Sequence, residues 1–300
     1  MNIESQIVDS DLGRWALTSW EPPAGTPLAR SVSFVWDFEG RVTTPRERVF
    51  PNGDVELLLQ LDDRYRDIRD VDGGTVLTPS TCVTGVHTRS FVIEAPPRPC
   101  RVIGIRLRPP AAWAVLGHPL SELANRTSDL GLLLGKDVDE LAERCHELET
   151  GPERVRRVVA WLADRLSVDH AVRPVDPAVR HVAETIARTA GRESIGPMRD
   201  ETGLSAARLA DRFREQVGVT PKRYARIQRF QRTLRMLAEP DSRSGGRDEP
   251  SLAEVALSAG YYDQPHMNRE FRRMAGLTPG EYLRSRRFPE SPHLAESVST

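Results

Sequence analysis

A duplication near the C-terminus constrains this chain more than any other feature. Phe213-Arg214, Gly218-Val219-Thr220-Pro221 and Tyr224 recur 58 residues later as Phe271-Arg272, Gly276-Leu277-Thr278-Pro279 and Tyr282. A match at one offset over several positions marks a supersecondary unit used twice. In each copy the glycine suits the left-handed conformation that ends a helix, the threonine suits the next N-cap, and the proline suits a first helical turn. Upstream, Ser205 and Asp263 are the expected N-caps, after turns at Gly203-Leu204 and Gly260-Tyr261-Tyr262. Residues 195–202 and 251–259 supply an earlier helix for each unit, so each copy reads as helix, turn, helix.

Between the copies, Pro221 to about Ala238 reads as one helix with Tyr224, Ile227, Phe230, Leu234 and Leu237 on its apolar face. At 1.5 Å per residue it is roughly 27 Å long, which suits holding two readers about 34 Å apart, one turn of DNA. Leu209/Phe213 and Met267/Phe271 lie at i, i+4 and are expected inward. Ala206, Ala207, Arg208 and Asp211 in one unit, and Gln264, Pro265 and Arg269 in the other, then face outward. The net charge of −1 conceals an asymmetry, because residues 188–287 hold 20 Lys and Arg against 13 Asp and Glu. An anionic partner is expected there. Lysine occurs only at Lys136 and Lys222; arginine forks well onto phosphates and guanine edges, although a GC-rich genome gives the same bias.

The run from Ser251-Leu-Ala-Glu-Val-Ala through Gly260-Tyr-Tyr-Asp-Gln-Pro-His-Met to Gly276-Leu-Thr-Pro-Gly-Glu-Tyr282 resembles the C-terminal signature of the AraC/XylS transcription regulators. The resemblance covers about 178–287 and implies two helix-turn-helix units with recognition helices in successive major grooves of an asymmetric double-stranded DNA site. Carried over by position, it implies base reading by Gln264, Pro265 and Arg269 in the second unit. Gln264 suits adenine and Arg269 suits guanine, whereas the Pro265 side chain neither donates nor accepts. In the first unit the matching positions hold Ala206, Ala207 and Asp211, small or acidic where many relatives carry larger or basic side chains, with Arg208 as the remaining donor. Arg212, Arg223 and Arg272, with the backbone amides at the recognition-helix starts, are expected phosphate donors; a solvated surface is the alternative reading of each arginine.

A chain of 300 residues suits two domains, each with its own core. The expected organisation is a regulatory domain over 1–170, β-rich over 12–110 and helical over 111–167, then a proline-stiffened linker over 171–177. A DNA-binding domain over 178–288 and a flexible tail over 289–300 follow, with an Asp/Ser/Gly-rich break at 240–250. The fold class is α+β. Runs 31–38, 54–61, 90–94 and 101–107 read as strands of a small antiparallel sandwich or barrel. Segments 111–116, 120–134, 137–148 and 152–166 read as helices, the last two pairing across a dimer or packing on their own sheet. By resemblance this half is cupin-like and senses a small-molecule effector, forms a homodimer, or both, and RNA polymerase is a further candidate partner. Trp36, Phe34, Phe38, Phe50 and Trp113 either line a pocket or fill a core.

Several function classes conflict with the residues. A metal-dependent cupin enzyme needs several histidines, but residues 1–110 contain only His87, so no metal is expected. Cys82, Cys100 and Cys145 are far apart with no CxxC, which argues against structural zinc and a disulfide framework. Pro99-Cys100-Arg101-Val102-Ile103 resembles the nucleophile motif of DNA alkylguanine transferases, but its activating histidine is missing. The alternative reading is therefore a repair or alkyl-transfer protein using Cys100 with an attached DNA-binding domain. No apolar run is long enough to span a bilayer, and no basic-then-apolar opening precedes Trp15. The expectation is a cytoplasmic regulator without cofactor, catalytic residues or membrane contact.

Overall fold

Turn residues cut the first half of the chain into short strands, and these pair antiparallel throughout. A computed structural model describes residues 1–10, 13–43, 46–68, 74–167, 173–238 and 251–285; the break at 240–250 and the tail at 289–300 lie outside the described residues. In order come β1 (Glu4–Ser10), β2 (Gly13–Trp20), α1 (Pro27–Ser31), β3 (Val32–Val42), β4 (Arg46–Val49), β5 (Val55–Gln60), β6 (Arg66–Ile68), β7 (Thr75–Leu77), β8 (Thr81–Thr84), β9 (Phe91–Glu94) and β10 (Cys100–Leu107). Then follow α2 (Pro109–Leu116), α3 (Leu120–Leu123), β11 (Thr127–Asp129), α4 (Gly131–Leu134), α5 (Lys136–His146) and α6 (Gly151–Arg165). One sheet runs β1-β2-β3-β10-β5-β8-β11 and the other β4-β9-β6-β7.

Period-two alternation gives the larger sheet two buried faces. Trp36 and Phe38 of β3 join Trp15, Leu17, Cys100 and Val102 between the sheets. Val35 joins Leu57, Leu59, Ile103 and Ile105 on the opposite face, under the helices. There α6 crosses β2 and β3, started by a capping box between Thr150 and Glu153. Gly151 allows the approach, since a Cβ there would lie 2.5 Å from Thr18 Oγ1. Arg154 of α6 is fully buried and donates to Asp37 through Nε at 2.7 Å and Nη2 at 2.8 Å. The same guanidinium reaches Glu39 at 2.6 Å and the Leu148 carbonyl at 3.1 Å. Helices 137–148 and 152–166 thus turn their apolar sides to their own domain.

Two details differ from the expectations above. Segment 120–134 is not one helix: Asn125 has φ of 58°, which breaks the helical path, and 127–129 add an edge strand to β8. Pairing also begins earlier than residue 12, because β1 pairs with β2 in register from Glu4 with Ser19; exposed on nearly every side chain, β1 carries little apolar signal.

The C-terminal part consists of α7 (Pro177–Arg188), α8 (Ile195–Thr202), α9 (Ala206–Val217), α10 (Pro221–Ala238), α11 (Leu252–Ala259), α12 (Gln264–Ala275) and α13 (Pro279–Ser285). Its buried residues do not form a separate core. Phe213, Phe230 and Phe271 belong to one contiguous cluster that includes Trp113, Leu120 and the helix-facing side of the larger sheet. A regularly patterned segment cannot reveal this, because a stripe that meets its own domain and one that meets another read alike.

Candidate nucleic-acid interface

The duplication is a repeated geometry. In the first unit α8 ends at Gly203 with φ of 67°, and Ser205 caps α9 by accepting from the Arg208 amide at 3.3 Å. In the second, α11 ends at Gly260 with φ of 92°, and Asp263 caps α12 by accepting from the His266 amide at 2.7 Å. The helices stop at Gly218 and Gly276, with φ of 94° and 78°. The repeated aromatic pair also makes the same contact twice: ring centroids lie 5.9 Å apart for Phe213 and Tyr224 and 5.8 Å for Phe271 and Tyr282. Thr278 and Glu281 close a capping box at α13, with the Thr278 amide donating to Glu281 at 2.6 Å and the Glu281 amide donating to Thr278 Oγ1 at 3.3 Å.

Leu209, Phe213, Met267 and Phe271 are all buried, as their spacing predicts. Ala206, Ala207, Arg208 and Asp211 are exposed on α9, and Pro265 and Arg269 on α12, with Gln264 half-exposed beside them. These side chains cluster in the N-terminal portions of α9 and α12, the end of a recognition helix that meets base edges. The phosphate candidates divide. Arg212 is held by Asp176 at 2.5 Å, Asp211 engages Arg214 at 2.9 Å, and Arg272 lies 3.6 Å from Glu281. Among the described residues no ion pair holds Arg208, Arg223 or Arg269. The start of α12 offers an anion less than expected, because Pro265 has no N–H and the Asp263 carboxylate sits at the positive end of the helix. Tyr262, read from the sequence only as part of the turn before α12, is 86% exposed.

The C-terminal ends of both recognition helices are held by the first domain. At α12 the last-turn carbonyls, which no helix can satisfy internally, accept from Ser90 N at 2.6 Å for Met274 and from Arg48 Nη1 at 2.9 Å for Ala275. A guanidinium there also complements the negative helix end. Phe50 packs edge-on against Phe230 and Tyr282, with centroids 6.0 and 5.9 Å away, and Gln231 Nε2 donates to the Pro51 carbonyl at 2.6 Å. At α9, helices α2 and α3 supply the contact, while Gln216 Oε1 ties α9 to its own part of the chain by accepting from the amide of Asp176, the N-cap of α7, at 2.9 Å. Of the other aromatics raised above, Trp113 donates to the Pro174 carbonyl at 3.2 Å, Phe34 is half-buried with Arg106 5.9 Å from its ring, and Phe38 is core.

For the alternative centred on Cys100, burial outweighs the hydrogen bond with Tyr65. Cys100 is buried, and burial pushes its thiol up to about 11, away from the thiolate that a nucleophile requires. Among the described residues no group of three His, Cys, Asp or Glu is placed to hold a metal ion, and no helix is long and apolar enough to cross a membrane.

Two capped helix-turn-helix units joined by one long helix define a double helix-turn-helix protein. A family model described as a helix-turn-helix domain matches residues 198–285, and a domain of unknown function (DUF6597) matches 21–129. The chain is 32% identical over 90 residues to the HTH-type transcriptional regulator MtrA of Neisseria gonorrhoeae, covering 30% of this chain and 27% of that protein. A putative AraC-like transcription regulator of Streptomyces lividans is 28% identical over 149 residues, 49% of this chain and 42% of its own length. The HTH-type transcriptional activator RhaS of Escherichia fergusonii is 27% identical over 174 residues, 57% of this chain and 49% of its own length. The chain thus spans about half or less of these curated relatives. Among solved structures, ToxT from Vibrio cholerae O395 aligns with a TM-score of 0.42 at 11% identity, over 80% of this chain and 95% of that one. Over its C-terminal part the chain is similar to AraC-like transcription regulators.

Proposed function

We propose that this protein is a sequence-reading transcription regulator of the cytoplasm, not an enzyme, in which α9 and α12 enter successive major grooves of one promoter site. The observation that carries this reading is the division of labour along both recognition helices: their N-terminal portions are exposed, while their C-terminal ends are fastened to the first domain. Gln264 and Arg269 are the principal base readers, with Arg208 the polar reader of the first unit; Pro265, Ala206 and Ala207 contribute apolar contact and Asp211 stays with Arg214. Arg223 and Arg272 contribute phosphate contacts, whereas Arg212 is committed to Asp176. The first domain regulates by sensing an effector in the cavity between its sheets, and RNA polymerase and a second copy of the chain are further candidate partners.

The deciding experiment is fluorescence anisotropy of the purified protein on its own upstream duplex and on a scrambled one at fixed moderate salt, beside Gln264→Ala/Arg269→Ala. A wild-type preference that the double variant loses, at about 1–3 kcal/mol per base contact, supports the reading. Equal preference in both proteins removes these two residues from the reader.

A further inference from the structure

The two helix-turn-helix units differ in their turns. In the first, Gly203 ends α8 and Ser205 caps α9, with Leu204 between them. In the second, Gly260 ends α11 and Asp263 caps α12, with both Tyr261 and Tyr262 between them. Leu204 packs against the main core cluster and Tyr261 belongs to it, so these two fill the same role. The added residue is Tyr262, the most exposed of the large hydrophobic side chains described. Among the described residues nothing bonds to its phenol. A tyrosine in that position buries almost nothing, so its contribution to the fold is small.

Where the turn stands relative to DNA follows from the proposed docking of α12, on which this inference rests. In a docked helix-turn-helix the first helix crosses the backbone while the N-terminal residues of the second meet base edges. The turn that joins α11 to α12 therefore passes the phosphates at the rim of the groove. Phosphates take donors from side chains and from amides at helix starts, and α12 is poor in the latter. Pro265 has no N–H, and the His266 amide is taken by the Asp263 carboxylate at 2.7 Å. The neighbouring side chains are also committed or unsuited. Tyr261 is buried, its hydroxyl accepting from Thr233 Oγ1 at 3.5 Å; an ionised Asp263 only accepts; and His266 packs edge-on against Tyr261, with centroids 5.4 Å apart. Gln264 lies inside the helix, where base edges are read. The phenol of Tyr262 is the donor left for a phosphate.

We propose that Tyr262 is a DNA-backbone contact: its O–H donates to a phosphate oxygen of the strand that α11 crosses, anchoring α12 in the groove without reading a base. The contact belongs to the second half-site alone, because Leu204 packs on the core where the first unit makes its shorter turn. A neutral hydroxyl releases no counterion, so the contact adds affinity without steepening the salt dependence.

The test is anisotropy of the full chain on its own upstream duplex and on the scrambled one over a range of salt, for wild type, Tyr262→Phe and Tyr262→Arg. Tyr262→Phe removes the donor and keeps the ring. It should weaken binding to both duplexes about tenfold, the worth of one hydrogen bond to a charged group, with the native-to-scrambled ratio and the salt slope unchanged. Tyr262→Arg restores a donor and adds a charge; it should recover wild-type affinity or better, and its slope of log K against log salt should steepen by about 0.9. Wild-type affinity in Tyr262→Phe overturns the inference. So does a loss confined to the native duplex, which makes Tyr262 a base reader, and so does an unaltered salt slope in Tyr262→Arg, which puts the phosphates out of reach. If wild type shows no preference between the duplexes but Tyr262→Phe weakens both, the sequence-reading function falls and the backbone contact stands. Binding of wild type to neither duplex overturns both.

Discussion

Arg154 carries a charge to a position with no exposure, and its worth lies in what would be left behind without it. Its guanidinium spans both oxygens of Asp37, itself buried, and burial pushes the Asp37 carboxyl above its ordinary range while Arg154 pulls it back. Arg154→Ala leaves that carboxylate unpaired, so chemical unfolding should register a loss of about 3–5 kcal/mol. Arg154→Met/Asp37→Leu should recover most of it, and a single variant as stable as wild type would mean the pair is idle. His87 supplies a pH signature. It is buried and stacked on Phe91 with centroids 4.1 Å apart, and burial lowers its pKa from 6.5 to about 4. The unfolded chain then binds the extra proton between those values, so the stability His87 contributes is complete above pH 6.5 and drains as pH falls toward 4. The full loss is about 3 kcal/mol. Thermal unfolding from pH 7 to 4 should fall more steeply for wild type than for His87→Phe; parallel curves would contradict the assignment.

Each recognition helix is delimited by a polar cap at its start and a left-handed glycine at its end, so the effect of a substitution depends on which end it touches. Asp263→Ala removes the acceptor for the His266 amide and should cost about 1 kcal/mol. Gly203 and Gly276 separate backbone strain from contact. Both have positive φ, but a Cβ at Gly203 meets nothing within 4 Å, whereas one at Gly276 would lie 2.6 Å from Arg48 Nη1. Gly203→Ala should therefore cost only the conformational penalty, about 1 kcal/mol. Gly276→Ala should cost more and should speed amide exchange in the last turn of α12. Equal losses would show that Arg48 yields without consequence. Caps and stops were legible in the chain because they are local, two to four residues deciding each; segment 120–134 was misread for a related reason, since an edge strand of three residues is stabilised by β8 and not by its own pattern.

At the scale of the whole molecule, α9 and α12 are separated along one long helix, α10, and each touches the first domain. If Arg48 and Ser90 fix the second unit, Arg48→Ala/Ser90→Ala should relax the geometry without touching a base reader. Wild type should lose affinity sharply for duplexes with one or two base pairs inserted between the half-sites, and the variant should discriminate less between native and lengthened sites. Unchanged discrimination would mean that α10 alone sets the spacing. Because α10 packs by Phe230 and Gln231 on residues 50 and 51 of the first domain, the two halves are expected to unfold in one cooperative transition.

What the amino-acid sequence determined by itself was everything encoded at short range or by repetition: the two helix-turn-helix units, their caps and stops, the inward pairs Leu209/Phe213 and Met267/Phe271, and the outward faces with Gln264 and Arg269. Only the tertiary structure decided which charges are already spent. Arg212 and Asp176 are 36 residues apart, Arg48 and Ala275 are 227 apart, and Arg154 and Asp37 are 117 apart. No local pattern encodes such partners, because an arginine reaching solvent, a phosphate or a distant carboxylate presents the same letter. The cavity between the sheets follows the same logic: of its lining residues, Glu47 and Asp67 become neighbours across Ile93 only when β4, β9 and β6 come into register, and register belongs to the assembled sheet.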